Sequence, residues 1–187
     1  MEELEPSELG TLEYWEKRYK QEIKNFTNHG DVGEIWFGED IVDKVTVWII
    51  KHIPKTARII DVGCGNGHTL IELANEGYTN LVGVDYSERA VILAQSIAEN
   101  RGLNIKYSQC DILQGLNDVY DIVHDKEKAL KSDGLFIITS CNWTHNELQD
   151  QYKDHFDLDC LIPTPQFKFG GKVGSVVSIC VFKHKNK

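Results

Sequence analysis

Three glycines at alternate positions, Gly63, Gly65 and Gly67, stand between an apolar run and a helical pattern. That order restricts the folds open to the chain. Ile59, Ile60 and Val62 read as a buried strand, and residues 69–74 read as a helix. A glycine turn between the two lets backbone approach a ligand closely, because no Cβ stands in the way. A second apolar run, Leu81-Val82-Gly83-Val84, ends in Asp85. An acid at that point can accept hydrogen bonds from both hydroxyls of a ribose. The stretch therefore suits an adenosine-containing cofactor.

The chain on either side supports that reading. Strands are expected at 58–62, 80–85 and 105–110, with helices at 68–76 and after Ser87, whose apolar face is Ala90, Ala94, Ile97 and Ala98. Such alternation requires parallel strands joined by right-handed helical crossovers. The fold class is α/β: a three-layer Rossmann-like sandwich with a mostly parallel sheet and a C-terminal antiparallel strand. A single domain is expected over residues 1–187, with 1–8 frayed.

Before this core, Thr11 caps a helix whose stripe, Leu12, Trp15, Tyr19, Ile23 and Phe26, predicts core packing. Residues 31–38 form a loop carrying Trp36 and Phe37, either a lid over the cofactor or an apolar plug beneath the loop. Ile41, Val45, Trp48 and Ile49 give a second amphipathic helix, stopped by Pro54. After the core, 119–124 reads as a fourth strand ending at Asp125. Only residues 126–133 separate it from the next strand, 135–140. A parallel crossover needs about a dozen residues or more. Either that helix is compressed or residues are absent after Lys126. Thr144 and Glu147 then predict a capping box for a helix over 145–153. Strands at 156–162 and 175–182 are expected to pair antiparallel across a long loop marked by Pro163, Pro165, Gly170 and Gly171.

Charge and composition exclude several functions. The 187 residues carry a net charge of −9, which argues against nucleic acid as a partner. The five cysteines have no CxxC spacing, which predicts reduced thiols in a cytoplasmic or nuclear protein. The histidines are scattered, so no metal site is expected. No apolar run approaches the roughly 20 residues of a membrane span. A monomer is favoured.

The acids are the informative residues. Asp61 precedes the glycines, Asp85 closes the second strand and Asp111 follows the third. All three fall at the carboxyl ends of parallel strands, where open sheets bind ligands. A dinucleotide fits poorly: its pyrophosphate needs GxGxxG, whereas here bulky His68 follows Gly67 and the turn holds no Lys or Arg. A cofactor without phosphate fits better.

These residues resemble the seven-stranded, class I S-adenosylmethionine-dependent methyltransferases. The outer motifs go further. Leu9-Gly10-Thr11, Gly33-Glu34-Ile35-Trp36-Phe37-Gly38, Ser140-Cys141-Asn142-Trp143-Thr144, and Pro163-Thr164-Pro165 with Phe167-Lys168-Phe169-Gly170-Gly171 resemble the eukaryotic elongation factor 1-alpha lysine methyltransferases. The resemblance implies a protein-lysine N-methyltransferase with S-adenosylmethionine as cofactor and elongation factor 1-alpha as protein partner. It implies cofactor contacts at Trp36, Asp61, Gly63, Cys64, Gly65, Asn66, Gly67, Asp85 and Asp111, with Tyr86 beside the ribose and Cys110 and Ile112 bordering the adenine. Asp125 would orient the lysine amine, flanked by Asn142 and Trp143. One departure stands out: the family follows its fourth strand with Asp-Lys-Gly-Thr, whereas Glu127 follows Asp125-Lys126 here. The alternatives are a small-molecule N- or O-methyltransferase, a cofactor-binding scaffold that has lost catalysis, and a nucleotide-dependent oxidoreductase.

Overall fold

The structure, a computed structural model, describes residues 7–112, 130–169 and 172–185. The strand expected at 119–124 and Asp125 lie outside the described residues. In chain order the elements are α1 (Leu12–His29), α2 (Glu39–His52), β1 (Ile59–Val62), α3 (His68–Asn75), β2 (Leu81–Asp85), α4 (Glu88–Asn100), β3 (Lys106–Gln109), β4 (Leu135–Ser140), α5 (His145–Tyr152), β5 (Phe156–Leu161), β6 (Gln166–Phe169), β7 (Lys172–Ser175) and β8 (Ser178–His184). They divide into two compact units. Unit 1 holds Met1–Trp36 and Ile53–Lys126; unit 2 holds Phe37–His52 and Glu127–Lys187.

In unit 1, β1, β2 and β3 form a parallel sheet with β2 in the centre. Ile60 lies opposite Val82, and Asp85 opposite Gln109. Every residue of β2 is buried, as a strand covered on both faces requires. Helix α3 packs on β2, and α4 packs on β2 and β3. Their buried faces are Leu70, Ile71 and Leu73 on α3, and Leu93, Ala94 and Ile97 on α4. Because the strands are parallel, their carboxyl ends share one edge of the sheet.

Unit 2 is built around β8, which pairs antiparallel with β4 on one side and β5 on the other. β4 and β5 therefore run parallel to each other, with β8 reversed between them. Both faces of β8 are covered, which gives this unit three layers. Ile179 and Val181 pack with Ile41, Val45 and Trp48 of α2. Cys180 and Phe182 point the other way, onto Leu148 and Tyr152 of α5. The expected capping box is present: the Thr144 hydroxyl accepts the Glu147 N–H, and the Glu147 carboxylate accepts the Thr144 N–H at 2.8 Å. The parallel strands and the reversed C-terminal strand agree with the sequence reading.

Two expectations fail. The long loop after Pro163 contains a hairpin, β6 with β7, and β8 starts at Ser178 rather than at 175. The prolines and glycines around the alternating Phe167-Lys168-Phe169 hide that hairpin from periodicity. Hydroxyls close its base, since Thr164 and Ser175 both donate to the Val177 carbonyl. Helix α1 also departs from its prediction. Its one buried residue is Glu22, and Leu12 is 45% exposed. Its aromatic stripe serves a different purpose, described below.

Phe182 is fully buried in the β8 core. Phe182→Ala should lower the unfolding free energy in urea by about 3–5 kcal/mol, the usual cost of such a cavity. A loss near zero would show that this core is not packed as described.

Candidate functional site

The shared edge of β1, β2 and β3 collects most of the candidate residues. The turn between β1 and α3 closes on the end of β2. Gly63 and Cys64 both donate their N–H groups to the Val84 carbonyl, at 2.8 and 3.0 Å. Asp85 is buried and holds two backbone donors: Gly65 N–H on Oδ2 at 3.0 Å and Ser87 N–H on Oδ1 at 2.9 Å. The Cys110 N–H donates to the Asp85 carbonyl at 2.8 Å, which ties in the end of β3. One acid thus pins the glycine turn, the start of α4 and the third strand.

The turn itself needs glycine. Gly67 has φ +77°, and a Cβ there would run into the Tyr107 hydroxyl and the Ala94 side chain. Asn66, buried between these glycines, uses its whole amide. Its Nδ2 donates to the carbonyls of Val32 and Glu34 at 3.1 and 3.3 Å, and its Oδ1 accepts the His68 N–H at 3.2 Å. The loop that carries Trp36 is therefore held on the glycine turn. Trp36 is 47% exposed, so it is not a buried plug.

Helix α1 completes the arrangement. Trp36 meets Trp15 edge-on at 5.1 Å between ring centroids, and Trp15 stacks on Tyr19 at 5.9 Å. The Tyr19 hydroxyl stands over Gly65, where a Cβ would be only 2.9 Å away. Trp15 and Tyr19, expected in the core, thus bring an aromatic row to the glycine turn. Glu16, on the same helix, accepts from the Ser87 hydroxyl at 2.7 Å and from Arg89. Its burial opposes its charge, but the Ser87 hydroxyl and Arg89 outweigh that and hold its carboxyl below the usual range. Glu22 pairs with Arg18 at 2.9 Å, and Arg18 also reaches Glu34. The Tyr86 hydroxyl donates to the Thr11 carbonyl at 3.3 Å. Sequence reasoning passed over Glu16 and Glu22, and placed Tyr19 in the core. Glu22 carried a signal, since it falls in phase with Trp15 and Tyr19 on an otherwise apolar stripe.

The site is electrostatically loaded. Burial, followed by the neighbouring Asp85 charge, pushes Asp61 up to about 7. Burial raises Asp85 as well, although the N–H donors of Ser87 and Gly65 pull it back. Burial and the two acids keep Cys64 a neutral thiol. Two confined carboxyls with raised proton affinity favour a ligand that carries positive charge.

The other candidates lie as follows. Asp111 is partly buried and Ile112 is 40% exposed just past β3. Asn142 and Trp143 belong to unit 2, exposed in the turn after β4, where the Ser140 hydroxyl accepts both of their N–H groups. Among the described residues, no group of three or more His, Cys, Asp or Glu could hold a metal ion. No helix among them is long and apolar enough to cross a membrane.

Comparison with known proteins adds a family. A model described as a methyltransferase domain matches residues 53–175, running through both units. EEF1A lysine methyltransferase 2 of Homo sapiens is 39% identical over 206 residues, covering 95% of this chain and 87% of that protein. Protein-lysine N-methyltransferase EFM4 of Saccharomyces cerevisiae is 35% identical over 224 residues, covering 98% of each. Both spans exceed the 187 residues of this chain, so these relatives carry internal residues that it lacks. Among solved structures, magnesium protoporphyrin IX methyltransferase from Synechocystis with bound SAM has a TM-score of 0.57. It covers 90% of this chain and 97% of its own at 15% identity, a likeness of fold.

The Asp61 shift has a measurable consequence. The folded chain holds this proton up to about pH 7, against 3.8 for an ordinary aspartate. The stability it contributes is complete at acid pH and is lost as pH rises toward 7. Between about pH 5 and about pH 7.5, urea unfolding should show the wild type losing roughly 2–3 kcal/mol more than Asp61→Asn. Equal pH slopes would mean that Asp61 is ionised throughout.

Proposed function

The chain belongs to the methyltransferase family that contains the EEF1A lysine methyltransferases, and from that premise we propose that it methylates a lysine of elongation factor 1-alpha. The observation that carries this reading is similarity to those enzymes along nearly the whole chain, at 39% identity to the human protein. The methyl donor in this reading is S-adenosylmethionine. When bound, it supplies an electrophilic methyl on a positively charged sulfur.

The residues of unit 1 suit that cofactor. After accepting two backbone N–H groups, the Asp85 oxygens still have lone pairs for the ribose hydroxyls. The backbone of Gly63, Gly65 and Gly67 allows close approach, and Cys64 and Asn66 hold its course. Asp61 meets the cofactor's positive charge, which would draw its raised pKa down. Tyr86 borders the ribose, while Cys110, Asp111 and Ile112 border the adenine. Trp36, packed on Trp15, covers the methyl-donor side. The hydrogen bonds from Gly65 and Ser87 to Asp85, which hold the glycine turn in place, support this reading.

The acceptor must be a neutral amine, although a free lysine titrates near ~10.4. Asp125, outside the described residues, is assigned from the sequence to orient that amine, and Asn142 and Trp143 are assigned to the substrate. Desolvation and alignment then do most of the work. None of the five cysteines forms a disulfide, which supports a cytoplasmic, and also a nuclear, setting. A second reading draws on a specific observation. The relatives carry internal residues that this chain lacks, and the Asp-Lys-Gly-Thr pattern stops after Lys126. A shortened substrate side would leave a scaffold that binds the cofactor without transfer.

Labelled S-adenosylmethionine incubated with the chain and purified elongation factor 1-alpha separates the two. Label on a lysine of that factor is the expected result. Cofactor binding with no label on any protein would overturn the enzyme reading in favour of the scaffold.

A further inference from the structure

A cavity of about 490 Å³ in unit 2 is lined by none of the cofactor or substrate residues named above. Its floor is Ile41 and Val177, both buried, and its rim includes Phe37, Pro165 and Val176. Val176 is 68% exposed, an unusual level for an apolar side chain beside a pocket. Nearby in the hairpin, Phe167 is 52% exposed. At one lip stand Glu39 and Asp40, exposed in the first turn of α2. The wall is fixed in advance, because the hydroxyls of Thr164 and Ser175 hold the Val177 carbonyl.

We propose that this pocket docks the protein substrate. One apolar side chain of the substrate enters over Ile41 and Val177, and a neighbouring basic side chain meets Glu39 and Asp40. The inference rests on the reading above that the substrate is a protein. Three features select that occupant. The apolar floor is preformed and the rim is exposed, the pattern of a binding hot spot. The two acids add negative charge at the lip of a chain already at −9, which favours a cationic segment and speeds its capture. A lysine-bearing substrate supplies both kinds of side chain, whereas a small uncharged substrate would gain nothing from the acids.

The test uses the full chain with purified elongation factor 1-alpha. The double variant Glu39→Lys with Asp40→Lys and the single variant Val176→Asp all alter exposed residues. Each is compared with wild type for binding of the factor, for KM and kcat, and for S-adenosylhomocysteine affinity and thermal unfolding. The proposal predicts that KM for the factor rises about tenfold in each variant. It also predicts unchanged kcat, unchanged S-adenosylhomocysteine affinity, and a shallower salt dependence in the double variant. Wild-type KM in both variants would overturn the docking proposal and leave the substrate reading intact. If the wild type neither binds nor methylates the factor, the substrate reading fails and the docking proposal falls with it.

Discussion

The carboxylate of Asp85 receives the N–H of Gly65 on one oxygen and the N–H of Ser87 on the other. Both bonds are made by a buried acid, so each donor is worth more than it would be in water. The glycine turn depends on them. Gly63 and Cys64 are held separately on the Val84 carbonyl, but the Asp85 carboxylate is what holds the N–H of Gly65, a residue free of side-chain constraint. The same acid fixes where α4 begins, and through Ser87 it reaches Glu16 on α1. A polar relay thus runs from the first helix to the glycine turn, and the aromatic row of α1 settles on top of it.

The relay has an electrostatic consequence. Burial, followed by the neighbouring Asp85 charge, raises the proton affinity of Asp61, and burial raises that of Asp85, so the site is a poor host for two negative charges. A cofactor that brings a sulfonium and an ammonium group relieves that tension on binding. Burial of the two carboxyls thus favours a cationic ligand. The β8 strand of unit 2 buries apolar side chains on both faces, which suits a rigid support for a substrate-docking surface.

Much of this was legible in the amino-acid sequence, for physical reasons. Leu81 to Asp85 could be read as a buried parallel strand because its apolar run is unbroken. Gly63, Gly65 and Gly67 could be read as a turn because their alternate spacing suits no regular element. The Thr144 and Glu147 capping box is a local signal and survived intact. What escaped were contacts between residues distant in the chain. Glu16 meets Ser87 across 71 residues, and Asn66 reaches Val32 across 34. Periodicity carries no information about such pairs. It placed Trp15 and Tyr19 in a core because both fall on one helical face. It could not show that this face meets a glycine turn. The β6–β7 hairpin was masked by the turn residues around it, and the protonation of Asp61 depends on burial that only a fold creates.

Calorimetric titration of S-adenosylhomocysteine tests whether Asp85 organises a cofactor cradle. Asp85→Asn keeps the size of the side chain but replaces one accepting oxygen with an amide donor that opposes a backbone N–H. The variant should bind at least tenfold more weakly, with cooperative unfolding retained. Equal affinity in the two proteins would contradict it.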